Sequence, residues 1–166
     1  MTCYTLVTDA DGEVILEPSV APVQVISSET ATVMNRLLQR VIESSDGTGR
    51  KAKLSTQTVI GKTGTANDGK NKIFIGMTPY YIGAVWLGYD TPKRIPSNAA
   101  YAPPVIWKNV MEDVYKNLPK KEFPYADTVK ELEYCTTSGN IANENCPKTQ
   151  IGYYKSDNIP PVCTDH

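Results

Sequence analysis

The sequence predicts an α+β fold in which an antiparallel β-sheet is flanked by helices and an irregular, cysteine-bearing tail follows. Three observations carry this. Runs rich in β-formers at 58–66, 72–77 and 81–89 are separated by short polar or proline-bearing turns. Two segments, 27–45 and 104–118, repeat apolar residues at helical spacing. Residues 120–166 lose that periodicity and hold three of the four cysteines.

The elements follow in order. Tyr4–Thr8 and Glu13–Glu17 read as a β-hairpin, because Asp11-Gly12 between them supplies the positive φ angles of a tight turn. A connector containing Pro18 and Pro22 comes next. In the first helix, Ser27 or Ser28 caps the N-terminus and Glu29 places an acid where the helix dipole favours it. Met34, Leu37, Leu38, Val41 and Ile42 form its expected buried stripe, and Gly47 its expected stop. The polar loop 46–53 leads into a three-stranded meander with a turn at Asn67-Asp68-Gly69-Lys70. Its last strand, with Ile82, Val85, Trp86 and Leu87, is expected to be central and well covered. Pro104 suits the first turn of the second helix, where no N–H partner is needed. Ile106, Trp107, Val110, Met111 and Val114 form its apolar stripe. Trp86 and Trp107 are expected in the core, and Tyr80, Tyr81 and Tyr89 in packing or on the surface.

Composition narrows the function. The chain has 166 residues, enough to bury a core. Its net charge of −1 recommends no nucleic-acid partner. The single histidine is His166, which argues against a Ser–His–Asp triad and a multi-histidine metal site. No apolar run approaches the ~20 residues of a membrane span, and Met1–Leu6 does not resemble a signal peptide.

The informative motif is Gly61-Lys62-Thr63-Gly64-Thr65-Ala66. A phosphate loop would need glycine at position 56, where Thr56 stands, and a helix after the motif, where a strand and turn are expected. A substrate-binding strand fits better. Along a strand Thr63 and Thr65 share one face and Lys62 takes the other. Gly64, with no Cβ, permits close approach of another chain. At a sheet edge, free N–H and C=O groups can pair with an extended peptide. The two hydroxyls can bind a carboxylate, Lys62 adds a positive field, and the Thr65 N–H can stabilise an oxyanion.

Lys62-Thr63-Gly64-Thr65 resembles the Lys-Thr-Gly box of penicillin-binding proteins and their serine β-lactamase relatives. With Thr58–Ala66, Ile73–Tyr81 and Ala84–Asp90 in order, the chain is similar to the transpeptidase domain of class A penicillin-binding proteins. The resemblance extends upstream to Val7–Gly12 and Gly47-Thr48-Gly49. Downstream it includes Ala102–Trp107 and the tail from Cys135 through Ser138-Gly139 and Cys146-Pro147 to Cys163–His166. It implies a partial penicillin-binding fold over 1–119, followed by the small tail 120–166. It also implies a serine D,D-transpeptidase that cross-links peptidoglycan stem peptides, is acylated by β-lactams and needs no cofactor. Lys62, Thr63, Gly64 and Thr65 would bind substrate, with Lys62 polarising the site and the Thr65 N–H completing the oxyanion hole. The implied parent is membrane-anchored, works on the extracytoplasmic face of a bacterial membrane and carries a glycosyltransferase domain. Gly47-Thr48-Gly49 would have a minor part in substrate access.

Three departures qualify the resemblance. No serine has lysine three residues later, so the nucleophile and base motif Ser-x-x-Lys is absent from these residues. Ser138-Gly139-Asn140 and Ser156-Asp157-Asn158 match Ser-x-Asn but follow the box instead of preceding it, and read as chance. Asn71-Lys72-Ile73 stands where the family has Asp-Ala-Trp. The expectation is therefore the C-terminal part of a transpeptidase domain, inactive alone, whose partner is the N-terminal part of the same domain. The alternative is a non-catalytic module of the same fold that binds cell-wall peptides or a partner.

Cys3, Cys135, Cys146 and Cys163 leave disulfides, a Cys₃His zinc site with His166, and free thiols open. A tail disulfide is the preferred expectation and no metal is assigned, because only Cys163 and His166 form a close ligand pair.

Overall fold

The computed structural model describes residues 4–17, 23–66, 68–99 and 101–166; Cys3, Pro18, Pro22 and Asn67 lie outside them. The hairpin forms as β1 (Val7–Thr8) and β2 (Val14–Leu16), shorter than the apolar runs suggest. Asp9 organises its turn: Oδ1 accepts the N–H of Asp11 at 3.0 Å and of Glu13 at 2.8 Å. Gly12 takes φ +86°, the left-handed conformation expected there, whereas Asp11, expected to share it, does not.

Helix α1 (Ser28–Glu43) starts as expected, with the Ser27 side chain accepting from the Thr30 N–H. It ends one turn before Gly47, on Ser44, whose N–H bonds the Arg40 carbonyl. The expected stripe is only partly buried. Ile42 is buried, Leu38 and Val41 are half-buried, and Met34 and Leu37 are exposed. A 3₁₀ turn over Arg50–Ala52 then leads into the sheet.

Strands β3 (Ile60–Ala66), β4 (Asn71–Met77) and β5 (Ile82–Leu87) form the expected antiparallel meander in the order β3-β4-β5. The central strand is β4. β5, expected to be central, has one neighbour among the described residues and alternates exposed with half-buried side chains. Trp86 is 56% exposed, so it is no core residue. The reason is register: Ile73, Ile75, Ile82 and Trp86 share a sheet face that no described helix covers.

The other face holds the core, built from Ile42, Ala52, Leu54, Val59, Phe74, Trp107 and Tyr115. Helix α2 (Ala102–Tyr115) supplies two of these, with prolines in its first turn. Its core-facing line is Pro103, Trp107, the half-buried Met111 and Tyr115, spaced by four, whereas Ile106, Val110 and Val114 are exposed. Trp107 meets Phe74 edge-on at 5.5 Å between ring centres and donates Nε1–H to the Gly83 carbonyl at 3.0 Å. Tyr80 lies beside Tyr115, while Tyr81 and Tyr89 are partly exposed. No helix of the described residues is long and apolar enough to cross a membrane.

The tail departs from the expectation of irregularity. β6 (Val129–Cys135) and β7 (Thr149–Lys155) pair over seven residues each. This hairpin lies against α1. Arg40 donates to the Ile151 carbonyl at 2.8 Å and to Gln150 at 3.1 Å, and the Ala126 N–H donates to Thr32 at 3.0 Å. Gln57, buried ahead of β3, holds the incoming chain through Pro119 at 2.9 Å and Lys121 at 3.1 Å. These polar side-chain bonds leave little trace in apolar periodicity.

Two outcomes test this packing. Trp107→Ala should destabilise the chain by about 3–5 kcal/mol, read as a lower denaturation midpoint; a loss below about 1 kcal/mol would contradict the core assignment. Burial raises the Tyr115 phenol pKa above its ordinary value, partly offset by the hydrogen bond with Thr78. The folded state then keeps a proton that the unfolded chain loses, so stability falls as pH rises above about 10. Tyr115→Phe should cost about 1 kcal/mol at neutral pH and flatten that alkaline loss; an unchanged alkaline slope would remove Tyr115 as its source.

Candidate functional site

The Lys-Thr-Gly motif lies on β3, at the edge of the meander. Its ladder with β4 runs Lys62↔Ile75, Thr63↔Phe74, Gly64↔Ile73 and Thr65↔Lys72. Antiparallel pairing occupies alternate backbone groups on one side of a strand. The outer side of β3 has no partner strand among the described residues. Its free N–H and C=O groups therefore form a template for an extended peptide.

The side chains divide as strand geometry requires. Thr63 and Thr65 share the face of Phe74 and lie beyond the end of the core. Lys62 is exposed on the opposite face, and its ammonium donates to the Thr63 carbonyl at 3.0 Å. Gly64 has a packing reason that the sequence did not reveal: a Cβ there would lie 2.7 Å from Ile73 Cγ2 on the neighbouring strand.

Two partners of this motif escaped the sequence analysis. Thr63 Oγ1 donates to Thr48 Oγ1 at 2.8 Å, joining the strand to the Gly47-Thr48-Gly49 loop. Lys72 Nζ lies 3.5 Å from Thr65 Oγ1, so a second ammonium stands beside that hydroxyl. Counting symmetrically outward from the Asn67–Lys70 turn pairs 66 with 71 and 65 with 72, so the second contact was open to prediction. The first was not, because 15 residues and a loop separate its partners. Thr48 also lines an open cleft of ≈ 540 Å³ with Ser45, Asp46, Arg50, Lys51 and Tyr101.

The tail holds a second constellation. Cys135, Cys146 and Cys163 are free thiols in the structure, where a disulfide was preferred, and their sulfurs lie within 4.8 Å of one another. The Cys135 thiol is held down to about 6 by the Ser138 N–H, with Thr137, the Ser138 hydroxyl and His166 adding to the effect. Ser138 and Asn140 belong to the turn around this cluster: the Ser138 hydroxyl donates to the Cys163 sulfur and accepts from the Asn140 N–H.

A family model for the penicillin binding protein transpeptidase domain matches residues 5–112. A Penicillin-binding protein 1A of Clostridium botulinum (strain Hall) is 35% identical over 150 residues, which cover 90% of this chain and 17% of that protein. A Penicillin-binding protein 1A of Clostridium tetani is 35% identical over 175 residues, covering 98% of this chain and 22% of that protein. The chain thus spans about a fifth of the length of these relatives. The crystal structure of Penicillin-Binding Protein 1A from Haemophilus influenzae superposes with a TM-score of 0.64 at 18% identity, covering 94% of this chain and 29% of that one. At that identity the likeness is one of fold.

The Thr63–Thr48 bond is exposed, so Thr48→Val should change global stability by less than about 1 kcal/mol. It should nevertheless loosen the loop, and amide hydrogen exchange over 45–51 should rise. Unaltered exchange there would mean that the bond does not hold the loop.

Proposed function

Because the chain belongs to the penicillin-binding protein transpeptidase family, we propose that Lys62, Thr63, Gly64 and Thr65 form the substrate-binding strand of a serine D,D-transpeptidase site. The substrates would be peptidoglycan stem peptides ending in D-Ala-D-Ala, and β-lactams would occupy the same strand. The observation that carries this reading is the one-sided pairing of β3, which leaves the motif's outer backbone edge open.

The chemistry follows from what this strand can do. A stem peptide laid along β3 pairs with its free edge and is aligned for attack. The Thr63 and Thr65 hydroxyls hydrogen-bond the terminal carboxylate, and Lys62 places a positive charge beside it. The Thr65 N–H donates to the penultimate carbonyl oxygen as it becomes an oxyanion. A serine Oγ attacks that carbonyl carbon, the C–N bond breaks, and D-Ala leaves carrying the serine's proton. An amine of a second stem peptide then attacks the acyl carbon, the bond to serine Oγ breaks, and the amine's proton passes to Oγ, which completes the cross-link and restores the serine.

The attacking serine and its lysine would come from a part of a transpeptidase domain other than these residues, since no Ser-x-x-Lys occurs among them. The outer edge of β5, unpaired among the described residues, and the exposed Ile73, Ile75, Ile82 and Trp86 support docking of such a part on the sheet. The chain alone would then bind substrate without turning it over. Its working place would be the extracytoplasmic face of a bacterial membrane, where cross-linking occurs.

Titrating the isotope-labelled chain with an N-acylated peptide ending in D-Ala-D-Ala should shift the amide resonances of residues 62–65. Thr65→Val should weaken binding about tenfold, as for one charge-assisted hydrogen bond. Shifts confined to another surface would contradict the assignment. Fluorescent penicillin should leave no covalent band on the isolated chain; a band would overturn its predicted inactivity.

A further inference from the structure

The three tail cysteines have no part in the strand chemistry, and the fold brings them to one point. Cys135 closes β6, Cys146 lies in the loop before β7, and Cys163 follows the bridge between Ile141 and Val162. Cys135 and Cys163 are buried, at 0% and 3% exposure. We propose that Cys135, Cys146, Cys163 and His166 bind one zinc(II) ion.

The distances fit. At a zinc–sulfur bond of about 2.3 Å, tetrahedral geometry places bound sulfurs about 3.8 Å apart. The three Sγ atoms already lie within 4.8 Å of one another, so binding needs each to move by less than about 1 Å. A disulfide would use two of the three sulfurs and leave the third without a bonded partner in the cluster. One metal ion uses all three.

The fourth ligand would be the His166 imidazole, three residues beyond Cys163. Asn143 holds this segment against the cluster: its Nδ2 donates to the Cys163 carbonyl at 2.9 Å and the His166 carbonyl at 3.3 Å. The outer contacts suit thiolate ligands, which need donors around them. The Asn143 N–H donates to the Cys146 sulfur at 3.4 Å, and the Ser138 hydroxyl donates to the Cys163 sulfur at 3.2 Å.

The sequence objection to zinc was the lack of a second close ligand pair. The β6–β7 ladder answers it, since pairing Cys135 with Thr149 carries Cys146 back beside Cys135. The ion would act as a structural staple in a region with few buried apolar residues. Through Arg40 and the Ile151 carbonyl it would also steady β7 against α1.

The test uses the whole chain, purified under reducing conditions. Native mass spectrometry should find one zinc per chain after dialysis. Cobalt(II) in its place should show thiolate charge-transfer absorption and the intense visible bands of tetrahedral coordination. Cys146→Ser should weaken metal binding at least about 10–100-fold, the loss typical of outer-shell changes alone. His166→Ala should alter the cobalt visible bands while leaving thiolate charge transfer. The cobalt spectrum of the unsubstituted chain decides the matter even where a variant fails to fold. A reduced chain that takes up no zinc, or a cobalt spectrum without thiolate charge transfer, would overturn the proposal. An unchanged spectrum in His166→Ala would overturn the fourth ligand.

Discussion

The contact between Phe74 and Trp107 is the interaction on which the remaining architecture depends. Phe74 stands at the middle of the central strand, and Trp107 projects onto it from α2. Gly76 leaves room for the indole, since a Cβ there would lie 2.5 Å from it. The pair buries most of its surface, and its edge-to-face arrangement adds about 0.5–1.5 kcal/mol beyond that burial. It also commits one sheet face to the core. The opposite face carries the exposed Ile73, Ile75, Ile82 and Trp86, and the outer edge of β3 has no partner strand among the described residues.

From that core, two polar connections reach the periphery. Thr63 ties the motif to Thr48, in the loop between α1 and the sheet. Arg40, in the last turn of α1, ties that helix to β7. Neither connection is deeply buried, so each contributes specificity of placement more than stability.

Much of the fold was legible because it rests on local chemistry. The Ser27 cap, the Asp11-Gly12 turn, the prolines opening α2 and the three strands of the meander all came from residues near in sequence. The failures share one cause. β5 was expected at the centre and Trp86 in the core, because an apolar run does not say which of its sides is covered. The expected α2 stripe holds Trp107 and Met111, which do face the sheet, but also Ile106, Val110 and Val114, which are exposed, and it lacks the buried Tyr115. Apolar periodicity identifies an element, and its packing partner selects the face.

The site divides in the same way. Lys62, Thr63, Gly64 and Thr65 were found as a motif, and alternation along a strand placed Thr63 and Thr65 together. By itself the sequence determined the family resemblance, the strand that carries the motif and the residues on each of its sides. Only the tertiary structure decided that β3 is an edge, that Thr48 meets Thr63, and that three distant cysteines converge. Capping, turns and alternation are short-range effects written in neighbouring residues. Edge position and ligand convergence depend on which segments the chain brings together, and no local pattern encodes that.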